Sequence, residues 1–367
     1  MKTLSIFGTR PEAIKMAPLI RALSSVEQME SFICSTAQHK EMLDPFLKLF
    51  QIKIHFDLNV MKPHQTLSDL TASILVKVRS VLEQVKPDLV FVQGDTTSAM
   101  AGALASFYEK IPVAHIEAGL RSGHMLKPFP EEMNRKLIGS LAACHFAPTE
   151  LSRQNLMREG VASEHIFVTG NTVIDALFYT LKTAQEPLFP FPFLKKKLIL
   201  VTGHRRESFG EGFSSICRAL QTLSQRDDVQ IIYPVHLNPE VQRPVYSLLS
   251  NNPNILLIPP LDYVHFVFLM NRSYLILTDS GGVQEEGPSL GKPVLVMRDV
   301  TERREALEAG TVKLVGTDEK KIVEEVEKLL DDPSYYQKMA YAHNPYGDGK
   351  AAKKIVEHVL ERYANRV

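Results

Sequence analysis

Short apolar runs of four to six residues, closed by Gly, Pro or Asp and separated by amphipathic stretches, recur along this chain. The first half contains TLSIF, SFICS, DLVFVQ, PVAHIE, CHFAP and HIFVTG; the second contains KLILVTG, QIIYPV, NILLIP, YLILTDS, KPVLVM and TVKLVG. Continuous rather than alternating apolar runs belong to strands buried on both faces, and the intervening helical patterns make βαβ units with parallel sheets. The pattern predicts two Rossmann-like, doubly wound α/β domains. At 367 residues the chain exceeds the size at which one core usually stops growing. We place the first domain at residues 1–170 and the second at 171–349. The stretch EPLFPFPFLKKK, residues 186–197, reads as a linker or exposed loop. A final amphipathic helix, about 350–367, is expected to pack back on the first domain.

Charge and cysteines exclude several classes. Lys plus Arg and Asp plus Glu are 42 each, so no basic field exists to hold nucleic acid or a membrane surface, and any anion site must be local. Cys34, Cys144 and Cys217 are far apart with no C-x-x-C pair and read as reduced and buried. No signal peptide or spanning segment is evident, so a cytoplasmic protein is expected. Metal-ligand spacings such as H-E-x-x-H are missing, and no D-x-D sequence occurs. GEG at 210–212 lacks the third glycine of a dinucleotide fingerprint, and Gly287–Lys292 is one residue short of a P-loop.

Ligands of open α/β sheets lie beyond the carboxyl ends of the strands, so the residues after each run matter most. There the chain places GTRPEAIK, GDTTSA, EAGLRSG, TGHRRESFGEG and DSGGVQEEG. Glycines, hydroxyls and cations at helix starts suit phosphate. Asp95 and Glu117 end consecutive runs and can face one pocket, and Glu131 follows near a helix start; each has a plainer reading as a helix cap or first-turn acid. Three acids among Arg10, Lys15, Arg121 and Arg135 suggest acid–base work beside an anion.

The motifs FGTRPEAIKMAPLI, TAQH, QGDTTSAM, HIEAGLRSG, PFPEEMNR, TGNTVIDAL, TGHRRESFG, YPVHLNP, TDSGGVQEEGPSLGKPVLVMRDVTER and AHNPYGDG cover nearly the whole chain. In this order and spacing they resemble the non-hydrolysing UDP-N-acetylglucosamine 2-epimerases. The resemblance implies a glycosyltransferase-B fold with the UDP-sugar in a cleft between domains. It implies interconversion of UDP-N-acetylglucosamine and UDP-N-acetylmannosamine through UDP elimination, without added NAD or metal, by a homodimer. It assigns catalysis to Asp95, Glu117, Glu131 and His204, and substrate binding to Arg10, Lys15, Arg135, Ser280, Gly281, Gly282, Glu286 and Arg303. Gln38, His39 and His236 match positions where some relatives bind a second UDP-N-acetylglucosamine as activator. Glu285 receives no role. The rival readings are a glycosyltransferase of the same fold, a hydrolysing epimerase and a non-enzymatic nucleotide-sugar sensor.

Overall fold

A computed structural model describes residues 1–36 and 44–363. The described strands form two sheets whose strand pairings are all parallel. The first sheet holds β1 (Lys2–Phe7), β2 (Glu30–Ser35), β3 (Phe56–Asp57), β4 (Leu89–Gln93), β5 (Val113–Ile116), β6 (Cys144–Ala147) and β7 (Ile166–Val168). Its order is β3-β2-β1-β4-β5-β6-β7. The second holds β8 (Lys197–Thr202), β9 (Val229–Pro234), β10 (Ile255–Ile258), β11 (Leu275–Thr278), β12 (Val294–Val296) and β13 (Val312–Leu314), ordered β10-β9-β8-β11-β12-β13. All twelve apolar runs named from the sequence carry a strand. The additional one, β3, is a two-residue edge strand, too short for any periodicity to mark it.

Burial explains the continuous runs. Every residue of β4 and β5 is buried, because helices cover both faces of the sheet. In the first core, Leu4, Ile6, Val90 and Val92 pack with Ile74 and Val78 of the helix Leu67–Val85. In the second, Ile199, Val201, Leu275 and Leu277 pack with Phe213 and Leu220 of the helix Glu211–Leu223. Cys34, Cys144 and Cys217 are free and buried, and burial pushes their thiols up to about 12, 11 and 12.

The chain divides into one unit of Met1–Tyr179 with Tyr346–Val367 and another of Thr180–Pro345. The divisions thus lie at 179/180 and 345/346, whereas the sequence reading drew them at 170/171 and 349/350. The first falls inside the helix Thr172–Thr183, whose amino-terminal turns belong to the first unit. The stretch 186–197 is not a bare linker. Phe189, Phe191 and Phe193 form a ring cluster with centroids 5.1–5.5 Å apart, and Arg272 lies over Phe193.

The last described helix, Ala351–Tyr363, belongs to the first unit and starts on Asp175. The Asp175 carboxylate accepts from the backbone N–H groups of Ala351 (3.1 Å) and Ala352 (2.9 Å). Burial pushes its carboxyl up to about 6, against the pull of those two donors. Its folded value exceeds the unfolded value of about 3.9, so its stabilising contribution is fully present below pH ~4 and is lost as pH rises through about 6. Asp175→Ala is expected to cost about 1–2 kcal/mol of stability, as a lost cap does. Denaturant unfolding from pH 4 to 7 should show the deficit shrinking as pH rises; a pH-independent difference contradicts this account.

Candidate active site

Each sheet has one place where the strand order reverses: between β1 and β4 in the first, and between β8 and β11 in the second. Loops leaving the carboxyl ends of such neighbours turn in opposite directions and leave a crevice. In the first unit these loops begin at Gly8 and Gly94; in the second, at Gly203 and Asp279.

At Gly8 a Cβ would stand 2.3 Å from the hydroxyls of both Thr36 and Ser98, so only glycine fits. Thr9 caps the helix Arg10–Ser24, with Glu12 completing a capping box. Glu12 does more than cap. It accepts from the Gly8 and Thr9 N–H groups at 3.1 and 2.7 Å and from the Thr96 hydroxyl at 2.7 Å, tying the loop after β1 to the loop after β4. The helix Thr97–Tyr108 is capped by Thr96 rather than by Asp95, which excludes the plainer reading of Asp95. The Asp95 carboxylate instead receives Arg135 Nε and a terminal guanidinium nitrogen at 2.9 and 2.6 Å. Arg135 also reaches Glu132 at 2.9 Å, and Asn134 donates to the Asp95 carbonyl at 2.8 Å. His115 holds the preceding turn, its Nε2 lying 2.7 Å from the Gly94 carbonyl; burial pushes this imidazole down to about 3, so it is neutral.

Glu117, next after β5, has φ +62°, a left-handed conformation that costs a non-glycine residue about 1 kcal/mol or more. Lys15 pairs with its carboxylate, and Asn171 donates to the same oxygen at 2.8 Å. Glu131 opens the helix Glu131–Leu141 behind Pro130, with no side-chain cap. One of its oxygens is buried without a hydrogen-bond partner among the described residues. The neighbouring Glu132 has the structural task, accepting from the N–H groups of Ser122 and Gly123. Arg121 is held by Glu159 at 2.9 and 2.6 Å. Arg10 is half-buried, and its guanidinium has no ion-pair partner among the described residues.

In the second unit the buried Asp279 organises the crevice. One oxygen accepts from the backbone N–H groups of His204 and Arg205 at 2.6 and 2.7 Å, and the other lies 3.0 Å from His204 Nδ1. Burial raises this carboxyl, but the His204 ring and the two N–H groups outweigh it and leave the group below its usual range. A ring lone pair aimed at that carboxylate from 3.0 Å would be repelled, so the Nδ1–H tautomer is the favoured one, and Nε2 faces away from Asp279. His236 stacks on His204 with centroids 5.6 Å apart, and its own Nδ1 accepts from Asn238 N–H at 3.1 Å.

The loop Ser280–Gly282 is braced by Gln284, which donates to the Ser280 carbonyl at 3.1 Å and accepts from Thr301 at 2.6 Å. A Cβ on Gly281 would meet the Arg303 guanidinium at 3.1 Å, so glycine lets that cation close over the loop. Glu285, fully buried, accepts from Arg303 Nε at 2.9 Å and thereby holds the cation in place. Glu286 accepts from the Tyr263 hydroxyl at 3.0 Å, and burial beside it pushes that phenol well above its ordinary range.

Gln38 and His39 lie outside the described residues. Among the described residues no group of three or more His, Cys, Asp or Glu is placed to hold a metal ion. Several contributors escaped the sequence reading: Glu12, His115, Glu132, Asn134, Asn171, Tyr263, Asp279 and Gln284. All but Tyr263 stood in the motifs quoted, but only the fold reveals what they touch.

Two Rossmann-like domains built on all-parallel sheets, with polar loops at each reversal of strand order, define the glycosyltransferase-B class of α/β protein. Residues 21–360 match the UDP-N-acetylglucosamine 2-epimerase family. The chain is 57% identical over 367 residues to the UDP-N-acetylglucosamine 2-epimerase of Escherichia coli O157:H7, covering 97% of this chain and 98% of that protein. The crystal structure of UDP-GlcNAc 2-epimerase from Neisseria meningitidis bound to UDP-GlcNAc superposes with TM-score 0.92 at 51% identity, covering 99% and 100% of the two chains. The Methanocaldococcus jannaschii UDP-GlcNAc 2-epimerase, in complex with UDP-GlcNAc and UDP, superposes with TM-score 0.82 at 35% identity, covering 98% and 100%. This chain belongs to the UDP-N-acetylglucosamine 2-epimerase family.

The Asp279 contact yields a direct expectation. In Asp279→Asn the amide oxygen keeps the two backbone N–H groups, and the amide NH2 then faces His204. The ring must switch to its Nε2–H tautomer. Nitrogen-15 spectra of His204 should show Nδ1 changing from protonated to unprotonated at neutral pH; an unchanged tautomer contradicts the assignment.

Proposed function

We propose that this chain converts UDP-N-acetylglucosamine and UDP-N-acetylmannosamine into one another without hydrolysis, by eliminating UDP and adding it back across 2-acetamidoglucal. The observation that carries this reading is the division of charge between the loops that follow the strands of the two sheets. Three candidate acids stand on one unit, while a glycine loop with an imidazole and a guanidinium stands on the other. UDP-sugar and UDP complexes of the relatives support the substrate class.

The chemistry asks for this set. Carbon 2 has no adjacent carbonyl, so removing its proton directly would give an unstabilised carbanion. Breaking the anomeric C–O bond first spreads positive charge over the ring, and a carboxylate can then take the C2 proton to leave the glycal. Inversion requires proton return on the opposite face, hence two differently placed acid–base groups. Asp95, Glu117 and Glu131 are the candidates. The Arg135 and Lys15 pairings orient Asp95 and Glu117, while one buried oxygen of Glu131 has no partner among the described residues and is left to exchange a proton with substrate.

The departing UDP is an anion that must stay bound for the return step. Ser280, Gly281 and Gly282 supply backbone and hydroxyl donors, and the Arg303 guanidinium neutralises the growing charge beside the His204 ring. Glu286 binds the ribose hydroxyls. Arg135, by contrast, already serves two carboxylates, so its role is to position Asp95 rather than to grip phosphate.

Incubation with UDP-N-acetylglucosamine alone tests the reading. UDP-N-acetylmannosamine is the expected product; free N-acetylmannosamine with stoichiometric UDP would mean a hydrolysing enzyme. No turnover without an added acceptor would favour a glycosyltransferase. Asp95→Asn, Glu117→Gln and Glu131→Gln should each lower kcat by about 100-fold or more while leaving UDP binding intact. Near-full activity in any one removes it from the set. Glu286→Ala should weaken UDP binding by about 1–3 kcal/mol in calorimetry, and an unchanged affinity would displace Glu286 from the ribose.

A further inference from the structure

The lysine run Lys195–Lys197 has no part in the reaction just described. It borders a groove of about 550 Å³ in the second unit, which Arg272 and Lys292 also line. The groove lies at the amino ends of the strands: Lys197 is the first residue of β8, Tyr274 precedes β11, and Lys292 stands two residues before β12. His204 and Ser280 lie at the opposite edge, beyond a six-residue strand that spans roughly 20 Å at ~3.3 Å per residue.

The charges here are poorly compensated. Lys196 bonds the neutral Asn254 amide at 2.8 Å, and Lys197 bonds the Leu330 carbonyl at 2.5 Å. The groove's single acid, Asp228, is 3.8 Å from Lys197 and is already engaged by Arg226 at 2.9 and 3.1 Å. Arg272 has its own partner in Glu186. The ammonium groups of Lys195 and Lys292 have no hydrogen-bond or ion-pair partner among the described residues. Lys292 is partly buried, and that burial pushes its ammonium below the usual range. A partly buried ammonium without a partner, lining a groove with four other cations, is stabilised when an anion enters. Tyr274 and Tyr336 stack at 4.3 Å on the same wall and give it a fixed apolar surface.

We propose that this groove binds a small anion with a chain of phosphates, at a site separate from the candidate active site. The zero net charge of the protein makes the concentration of cations a local feature rather than part of a general basic field. Lys195 and Lys292 contact the phosphates directly, and Lys196 and Lys197 are held by their neutral partners to complete the cationic wall. The site does not depend on the proposed epimerase chemistry.

Calorimetry of the full chain with inorganic tripolyphosphate at constant ionic strength tests this. With the candidate active site filled by UDP, one saturable tripolyphosphate site is expected. Lys195→Gln with Lys292→Gln should weaken binding at least about tenfold, as losing charge-assisted phosphate contacts does. Lys195→Gln alone, at an exposed position safe for folding, should still weaken it measurably. The proposal fails if the double variant binds as well as the parent, if filling the candidate active site with UDP abolishes tripolyphosphate binding, or if sulfate at matched ionic strength gives the same heat. Sedimentation with phosphatidylglycerol vesicles, without tripolyphosphate binding, would equally overturn it in favour of a lipid surface.

Discussion

Parallel pairing of β1 with β4, and of β8 with β11, is the constraint on which the rest of the molecule depends. The registers Ile6↔Val92 and Thr278↔Thr202 bring the strand ends out at one edge of each sheet. Residues more than 70 positions apart in sequence become hydrogen-bond partners there. Thr96 reaches Glu12, and Asp279 reaches His204. The hydroxyls of Thr202 and Thr278, 2.6 Å apart, close the second sheet just below its loop. Without these registers the motifs would be separate loops with no common chemistry.

Around each reversal the buried charges are arranged so that few stand alone, since an uncompensated buried charge costs several kcal/mol. Asp95, Arg135 and Glu132 form one chain, and Lys15 with Glu117 another. Glu285 with Arg303 and Asp279 with His204 repeat the device in the second unit. Glu12 is handled differently: two backbone N–H groups and a hydroxyl satisfy it, and burial still pushes its carboxyl upward. Several charged groups that look catalytic in a sequence are thus props for their neighbours.

That distinction marks how far the sequence could be read. Strand positions were legible because burial on both faces leaves an unbroken apolar run, and the loops after them were legible as glycine, hydroxyl and acid. Partnerships were not. Nothing in PEEMNR separates Glu131, with its unpartnered oxygen, from Glu132, which braces Ser122 and Gly123. Likewise QEEG does not reveal that Glu285 anchors Arg303 while Glu286 meets Tyr263. The cap of the helix Thr97–Tyr108 fell to Thr96 rather than Asp95 because Arg135, 40 positions away, claims the aspartate. The two-residue β3 and the ring cluster of residues 189–193 depend on tertiary contacts that leave no period to detect.

The proposed function requires that carbon 2 exchange its hydrogen through the protein's own carboxylates while UDP is detached. A route through transient oxidation of the sugar could return the same hydrogen without exchange. Elimination and re-addition use acids on opposite ring faces, and the acid that delivers the new proton is equilibrated with water. Epimerisation by NAD-free enzyme in D₂O, followed by proton NMR of the product, separates the two. Deuterium at C2 of the UDP-N-acetylmannosamine formed is the result this account predicts; full retention of the original hydrogen would contradict it.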